Sequence, residues 1–335
     1  MLDVILLLIS LGVILLGAEG FTNGVEWLGK KLKLTEGAVG SILAAVGTAL
    51  PETMIPIVAI VFGGAGHAGE EIGIGAILGA PFMLSTLAFF ITGVAVMAYR
   101  HRRPNFPKMN LDTKTMGRDL SFFLMVYTLA VLTSFLGAHM WKQIIAIALV
   151  IAYVTYAYLT VTSGHTMEEG EELNPLYLAR KAAEPSTLVI IVQVILALGL
   201  IVGGARLFVS GVEELAQIMG IPPFVLSLVI APIATELPEK FNSVIWVGRG
   251  KDTLALGNIT GAMVFQSSVI PAVGITMTSW NLTQGALISA VLAIVSAGLV
   301  FLQISRKKYL TPYTLMGGGV FYGVFIILVF GGFVR

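Results

Sequence analysis

The chain has 335 residues, 56% of them hydrophobic and 12% charged, with a mean hydropathy of +0.91. A soluble domain of this make-up would expose too much apolar surface to stay dispersed, so the chain reads as a polytopic membrane protein. The net charge of +1 gives no footprint for nucleic acid, and the lack of cysteine excludes disulfides and thiolate metal sites.

Ten apolar runs follow in chain order, at 4–28, 36–62, 72–99, 120–136, 143–162, 187–215, 223–247, 253–279, 285–303 and 311–334. Each is near the roughly 20 residues that a helix needs to cross the hydrocarbon core. The first run lacks a basic leader and an evident small-residue cleavage site, so it is read as a span and not as a removed signal peptide. The expected fold is an all-α polytopic membrane protein of ten transmembrane helices. Five spans fall in residues 1–162 and five in 187–335, joined by a linker over 163–186.

The two halves resemble each other. Thr48-Ala49-Leu50-Pro51-Glu52, in the second run, returns 187 positions later as Thr235-Glu236-Leu237-Pro238-Glu239. Laid without a gap, residues 17–52 and 204–239 pair Gly17 with Gly204, Phe21 with Phe208, and Gly24-Val25-Glu26 with Gly211-Val212-Glu213. Further on, Gly75 and Gly79 fall on Gly257 and Gly261. Internal duplication is the economical reading. An odd number of spans per half starts the second half on the opposite side of the membrane. Two inverted five-helix repeats are therefore expected, with a site at the midplane between broken helices.

Lysine and arginine orient the chain. Loops after the odd spans carry Lys30, Lys31, Lys33, Arg100, Arg102, Arg103, Lys108, Lys114, Arg118, Arg180, Lys181, Arg249, Lys251, Arg306, Lys307 and Lys308, against Lys142 and Arg335 on the other side. That puts the odd loops in the cytoplasm and both termini outside a cell (inner) membrane.

A charged side chain at mid-membrane costs roughly 2.5–3.5 kcal/mol on insertion scales, so Glu52 and Glu239 are candidates for ion handling. The proline before each removes a backbone donor and frees carbonyl oxygens nearby. Thr48 and Glu52 are four apart, as are Thr235 and Glu239, so each pair shares a helix face, and Glu236 shares the second. Glu52, Glu239, Glu236, Thr48 and Thr235, with the freed carbonyls, form an all-oxygen set that suits calcium better than zinc or copper. The plainer reading, acids paired within the bundle, is strongest for Glu236, which lies one turn from Lys240.

Paired Thr-x-Leu-Pro-Glu segments, each followed by a glycine-rich helix (Gly73-Ile74-Gly75-Ala76-Ile77-Leu78-Gly79-Ala80 and Gly257-Asn258-Ile259-Thr260-Gly261-Ala262), resemble the two alpha-repeats of the calcium/cation antiporter superfamily. Within it the chain is similar to prokaryotic sodium/calcium exchangers, with alpha-motifs near 44–84 and 231–266. The resemblance implies a ten-helix antiporter that binds calcium and sodium centrally and slides its first and sixth helices past the rest. It gives Glu52 and Glu239 the calcium-binding role, with Thr48 and Thr235 lining the same sites.

Departures from that pattern fall in the site. Where the family has serine after each threonine, this chain has Ala49 and Glu236; where it has serine and then asparagine or aspartate, this chain has Ala80 with Leu84, and Ala262 with Gln266. Gln266 is then the only side-chain ligand left on that pair of helices. The usual sodium stoichiometry is in doubt, and Glu236 beside Glu239 places like charges together in low dielectric, which favours protonation. Proton coupling, or another divalent such as Mg2+ or Mn2+, competes with sodium.

Glu19 maps onto Arg206, which leaves open an interhelical pair or snorkelling to opposite interfaces. The linker's Glu168, Glu169, Glu171 and Glu172 lack the ligand alternation and turn glycine of an EF-hand, so a solvated linker is expected. The histidines His67, His101, His139 and His165 lie in loops or at span ends, not at metal spacing, so an enzyme is not expected. A channel would use similar acids, and a degenerate member would bind ions without exchanging them. The reading adopted is a cation antiporter exchanging Ca2+ for Na+ or H+, with cations and the lipid bilayer as partners, no nucleic acid, no cofactor, and function as a monomer.

Overall fold

Inside a bilayer no water satisfies the backbone, so each apolar run closes its hydrogen bonds on itself as a helix. The computed structural model describes residues 2–31, 49–63, 67–162, 174–182 and 184–334; within its helices the side chains of 2, 3, 50, 161, 162 and 237–240 lie outside that description. The described residues are all helix and connecting turns: α1 Leu2–Lys31, α2 Leu50–Phe62, α3 Ala68–Ala98, α4 Thr113–Leu132, α5 His139–Thr162, α6 Thr187–Met219, α7 Pro223–Thr235, α8 Leu237–Gly248, α9 Asp252–Met277, α10 Gln284–Lys307 and α11 Pro312–Phe330. Eight of them, all but α2, α7 and α8, are long and apolar enough to cross a membrane.

One helix break follows the proline signal, and one boundary differs from the sequence expectation. The run 223–247 is interrupted at Glu236, between α7 and α8, because Pro238 has no N–H to offer the Ala234 carbonyl. Asp119, expected in a loop, lies two turns inside α4 and is 2% exposed. It is tolerated there because Thr260 Oγ1 (2.8 Å) and Tyr156 OH (3.0 Å) donate to its carboxylate. Asp112 begins α4 instead, its side chain accepting from the Lys114 and Thr115 amides. Of the run 36–62, residues up to 48 lie outside the described part.

Buried residues of α3, α4, α5, α7, α9, α10 and α11 make the largest core cluster, centred on side chains such as Phe82, Phe123, Tyr127 and Trp280. α1 and α6 contribute nothing to it. They pack on each other and reach α2, α3 and α7 through a second, smaller cluster that includes Leu7, Ile14, Ile55, Phe208 and Leu226. Their crossing is close and reciprocal. A Cβ on Gly17 would lie 2.8 Å from Ile201 Cγ1 and 3.0 Å from the Ala197 carbonyl, and one on Gly204 would lie 2.8 Å from Ile14 Cγ1 and 3.0 Å from the Ser10 carbonyl. Backbones approach this way in membranes, where small residues let helices gain dispersion contact.

Candidate functional site

α2 and α7 are short because each abuts the Leu-Pro-Glu segment of its half. Pro51 sits at the start of α2, where a missing N–H costs nothing, and Glu52 follows in the first turn, where the helix dipole favours an acid. In the second half, α7 stops at Thr235, Glu236 occupies the break at φ −92° and ψ −36°, and α8 restarts with Pro238 in its first turn. Ser227 Oγ donates to the Ile72 carbonyl (2.7 Å), and α3 lies so near α7 that a side chain on Gly79 would strike the Leu228 carbonyl.

This packing brings parts of the predicted site together. Glu52 (8% exposed) and Thr235 (3%) line one cavity of about 10 Å³, with Ala76 and Ala80 of α3 and Ala231 and Pro232 of α7 as its apolar walls. That room holds about one water-sized particle. Thr235 Oγ1 donates to the Ala231 carbonyl (3.0 Å), which spends its proton and leaves its lone pairs for a cation. Next to it in the chain, Glu236 is 1% exposed and accepts a 3.0 Å hydrogen bond from Gln266 Nε2 of α9. Gln266 Oε1 is buried with no hydrogen-bond partner among the described residues.

The expected set is thus only partly assembled. Thr48 lies outside the described residues; Glu239 has its backbone in the first turn of α8, and its side chain lies outside the description, as does that of Lys240. Glu236 meets Gln266. Among the described residues no three histidine, aspartate or glutamate side chains cluster as a metal site. Leu84, 182 residues before Gln266, is fully buried and opens a π-helical stretch, Leu84–Ala88, where Ser85 Oγ bonds the Pro81 carbonyl and Thr86 Oγ1 that of Phe82. Such wide turns gather at functional sites, and the only sequence signal for this one is Pro81 within the helix.

Glu19 and Arg206 do not pair with each other: Tyr177 OH donates to Glu19 (2.6 Å), while the Arg206 guanidinium lies 4.0 Å from the Phe62 ring centroid.

The model of the family described as sodium/calcium exchanger protein matches residues 2–162 and 189–334. The chain belongs to the sodium/calcium exchanger family. Its relatives include the putative antiporter CaxA of Alkalimonas amylolytica, 24% identical over 270 residues, covering 81% of this chain and 79% of that protein. Among solved structures, the H+/Ca2+ exchanger CAX matches with a TM-score of 0.75 at 18% identity over 98% of this chain and 82% of CAX. The sodium-calcium exchanger NCX_Mj matches with a TM-score of 0.56 at 20% identity, over 97% of this chain and 98% of that one. At these identities the likeness is one of fold. Membership of the family makes this a membrane protein of the antiporter class, with exchange of calcium and other cations as the family trait.

Proposed function

We propose that the chain is a secondary active antiporter with ten membrane spans in two inverted five-helix repeats, exchanging Ca2+ for Na+ or H+ by alternating access at a midplane site. One observation carries the reading: Glu52 of the first half and Thr235 of the second share a single buried cavity at the ends of two short helices. A carboxylate and a hydroxyl oxygen buried together in hydrocarbon suit a hard cation. Glu239 and Thr48, their counterparts in the repeat, complete the proposed ligand set with Glu236 and Gln266.

The reciprocal contacts of Gly17 with Ile201 and of Gly204 with Ile14 support the inverted arrangement, since a pseudo-twofold axis between α1 and α6 exchanges them. Basic residues in the odd loops support the orientation with both termini outside. Coupling follows from electrostatics. Ionised carboxylates are costly to bury in low dielectric. The site therefore closes and reopens on the other side only when a cation or protons neutralise it, which makes the two fluxes interdependent.

A second reading, in which the counter-ion is H+ or the cargo is Mg2+ or Mn2+, is favoured by Ala80 and Leu84. Both are buried and apolar in α3, where sodium seats would need oxygen. Ca2+ uptake into proteoliposomes, driven in turn by outward sodium and proton gradients, separates the two. Uptake under the sodium gradient alone assigns Na+ as the counter-ion, uptake under the proton gradient alone assigns H+, and no uptake under either removes both for calcium.

A further inference from the structure

The linker, expected as solvated chain, is docked at its described end. Leu176 is fully buried against Trp27 of α1 and Ile190 of α6, in a small cluster of its own. The Asn174 carbonyl accepts from Trp27 Nε1 (2.9 Å) and Asn23 Nδ2 (3.3 Å). The Tyr177 amide donates to Asn23 Oδ1 (3.2 Å), and the Leu178 amide to Gln193 Oε1 of α6 (2.9 Å). Gln193 Nε2 closes the circuit by donating to the Gly20 carbonyl (2.9 Å) and to Asn23 Oδ1 (3.0 Å) of α1.

Every one of these bonds joins the linker, α1 and α6 to one another, and none reaches another helix. Asn23 is 5% exposed and Gln193 4%, so their amide groups are desolvated and each depends on this network for its partners. Elsewhere α1 and α6 stand apart from the main core and interlock through Gly17 and Gly204.

We propose that residues 174–178 are a latch, with Asn23, Trp27 and Gln193 as positioning residues, that holds together as one rigid body the two helices that the antiporter resemblance sets sliding. The functional half of this proposal rests on the antiporter reading; the mechanical half does not.

The chain has no cysteine, so an engineered pair can be read cleanly. A Cβ on Gly20 would lie 3.6 Å from Ala197 Cβ, within the roughly 3.5–4.5 Å that a disulfide requires. Four proteins are compared in proteoliposomes: wild type, Gly20→Cys/Ala197→Cys, Leu176→Ala/Tyr177→Phe, and the two sets combined, the cysteine pairs both reduced and oxidised. Cation flux and amide hydrogen exchange over 17–31 and 187–197 are followed in each.

The latch predicts that oxidised Gly20→Cys/Ala197→Cys exchanges cations like its reduced form. Leu176→Ala/Tyr177→Phe should lose about fivefold in rate, the scale of one net hydrogen bond with some packing, and oxidation of the combined variant should restore it. Arrest by the cross-link alone means that α1 and α6 move against each other and overturns the proposal. So does wild-type flux in the latch variant, or a loss that oxidation does not repair. If wild type itself carries no flux, the antiporter reading falls and hydrogen exchange decides the latch: faster exchange in both segments, reversed by the cross-link, supports it, and unchanged protection refutes it.

Discussion

Glu52 is the residue on which the site turns. It is 8% exposed and lines a cavity with room for about one particle the size of a water molecule, so its carboxylate is the charge that a cation entering there meets. Gln266→Leu should weaken calcium binding, since it repeats in α9 the apolar choice already made at Leu84 and leaves Glu236 without its 3.0 Å donor. A loss of about tenfold in apparent affinity is expected, from removing one proposed ligand and one buried hydrogen bond to a charged group; titration of calcium-driven stabilisation in detergent measures it, and unchanged affinity would exclude Gln266 from the site. Tyr177, outside the membrane, supplies a pH handle. Its hydrogen bond to Glu19, then partial burial and the Glu19 charge, hold its ionisation above the ordinary tyrosine value. A raised tyrosine stabilises the folded contact below pH about 10 and gives that up as pH climbs through the raised value. An ultraviolet titration of wild type minus Tyr177→Phe should therefore show a phenol ionising above pH about 10; ionisation at or below that would remove the Glu19 contact.

Helices were largely legible from hydropathy, and the repeated Leu-Pro-Glu segments marked where α7 would break, because proline's missing N–H is a local property. What sequence could not show is how side chains from distant segments satisfy one another. Asp119 looked like loop because a lone aspartate is costly in a span; it is buried because Thr260 and Tyr156, 141 and 37 residues away, reach it. The Asn174–Leu178 contacts were hidden for the same reason: Leu176 carries no periodic signal, and its burial depends on Trp27 and Ile190 arriving from two other helices. In the site, Glu52 and Thr235 line one cavity, and the Glu236–Gln266 bond depends on two helices meeting, which no local pattern carries. Helix approach gives a sharp test at this scale. Gly79→Ala drives a methyl group into the Leu228 backbone and should destabilise the protein by about 1–3 kcal/mol, whereas Gly203→Ala, with open space around it, should be near neutral. Thermal unfolding of the two variants in the same detergent checks this, and equal effects would contradict the packing of α3 on α7.

At the scale of the whole molecule, the protein divides into a large core and an α1–α6 pair attached through a smaller apolar contact. The core has its own brace. Arg103 grips Asp252 through two bonds of 2.7 and 2.8 Å and also donates to the Val247 carbonyl (2.7 Å), tying the connection between α3 and α4 to the start of α9. Asp252 is fully buried, so Asp252→Leu strands a guanidinium and should cost about 3–5 kcal/mol of stability; a midpoint unchanged from wild type would show that the brace carries no such energy. Division into a core and an α1–α6 pair matters to function only if the molecule moves cations, and that is measured most directly by calcium uptake into proteoliposomes of wild type and Glu52→Gln side by side, under an outward sodium or proton gradient. Gradient-driven uptake is expected in wild type, with a loss of more than about tenfold in Glu52→Gln, whose folding and thermal midpoint stay close to wild type. Wild-type uptake that survives in Glu52→Gln would contradict this.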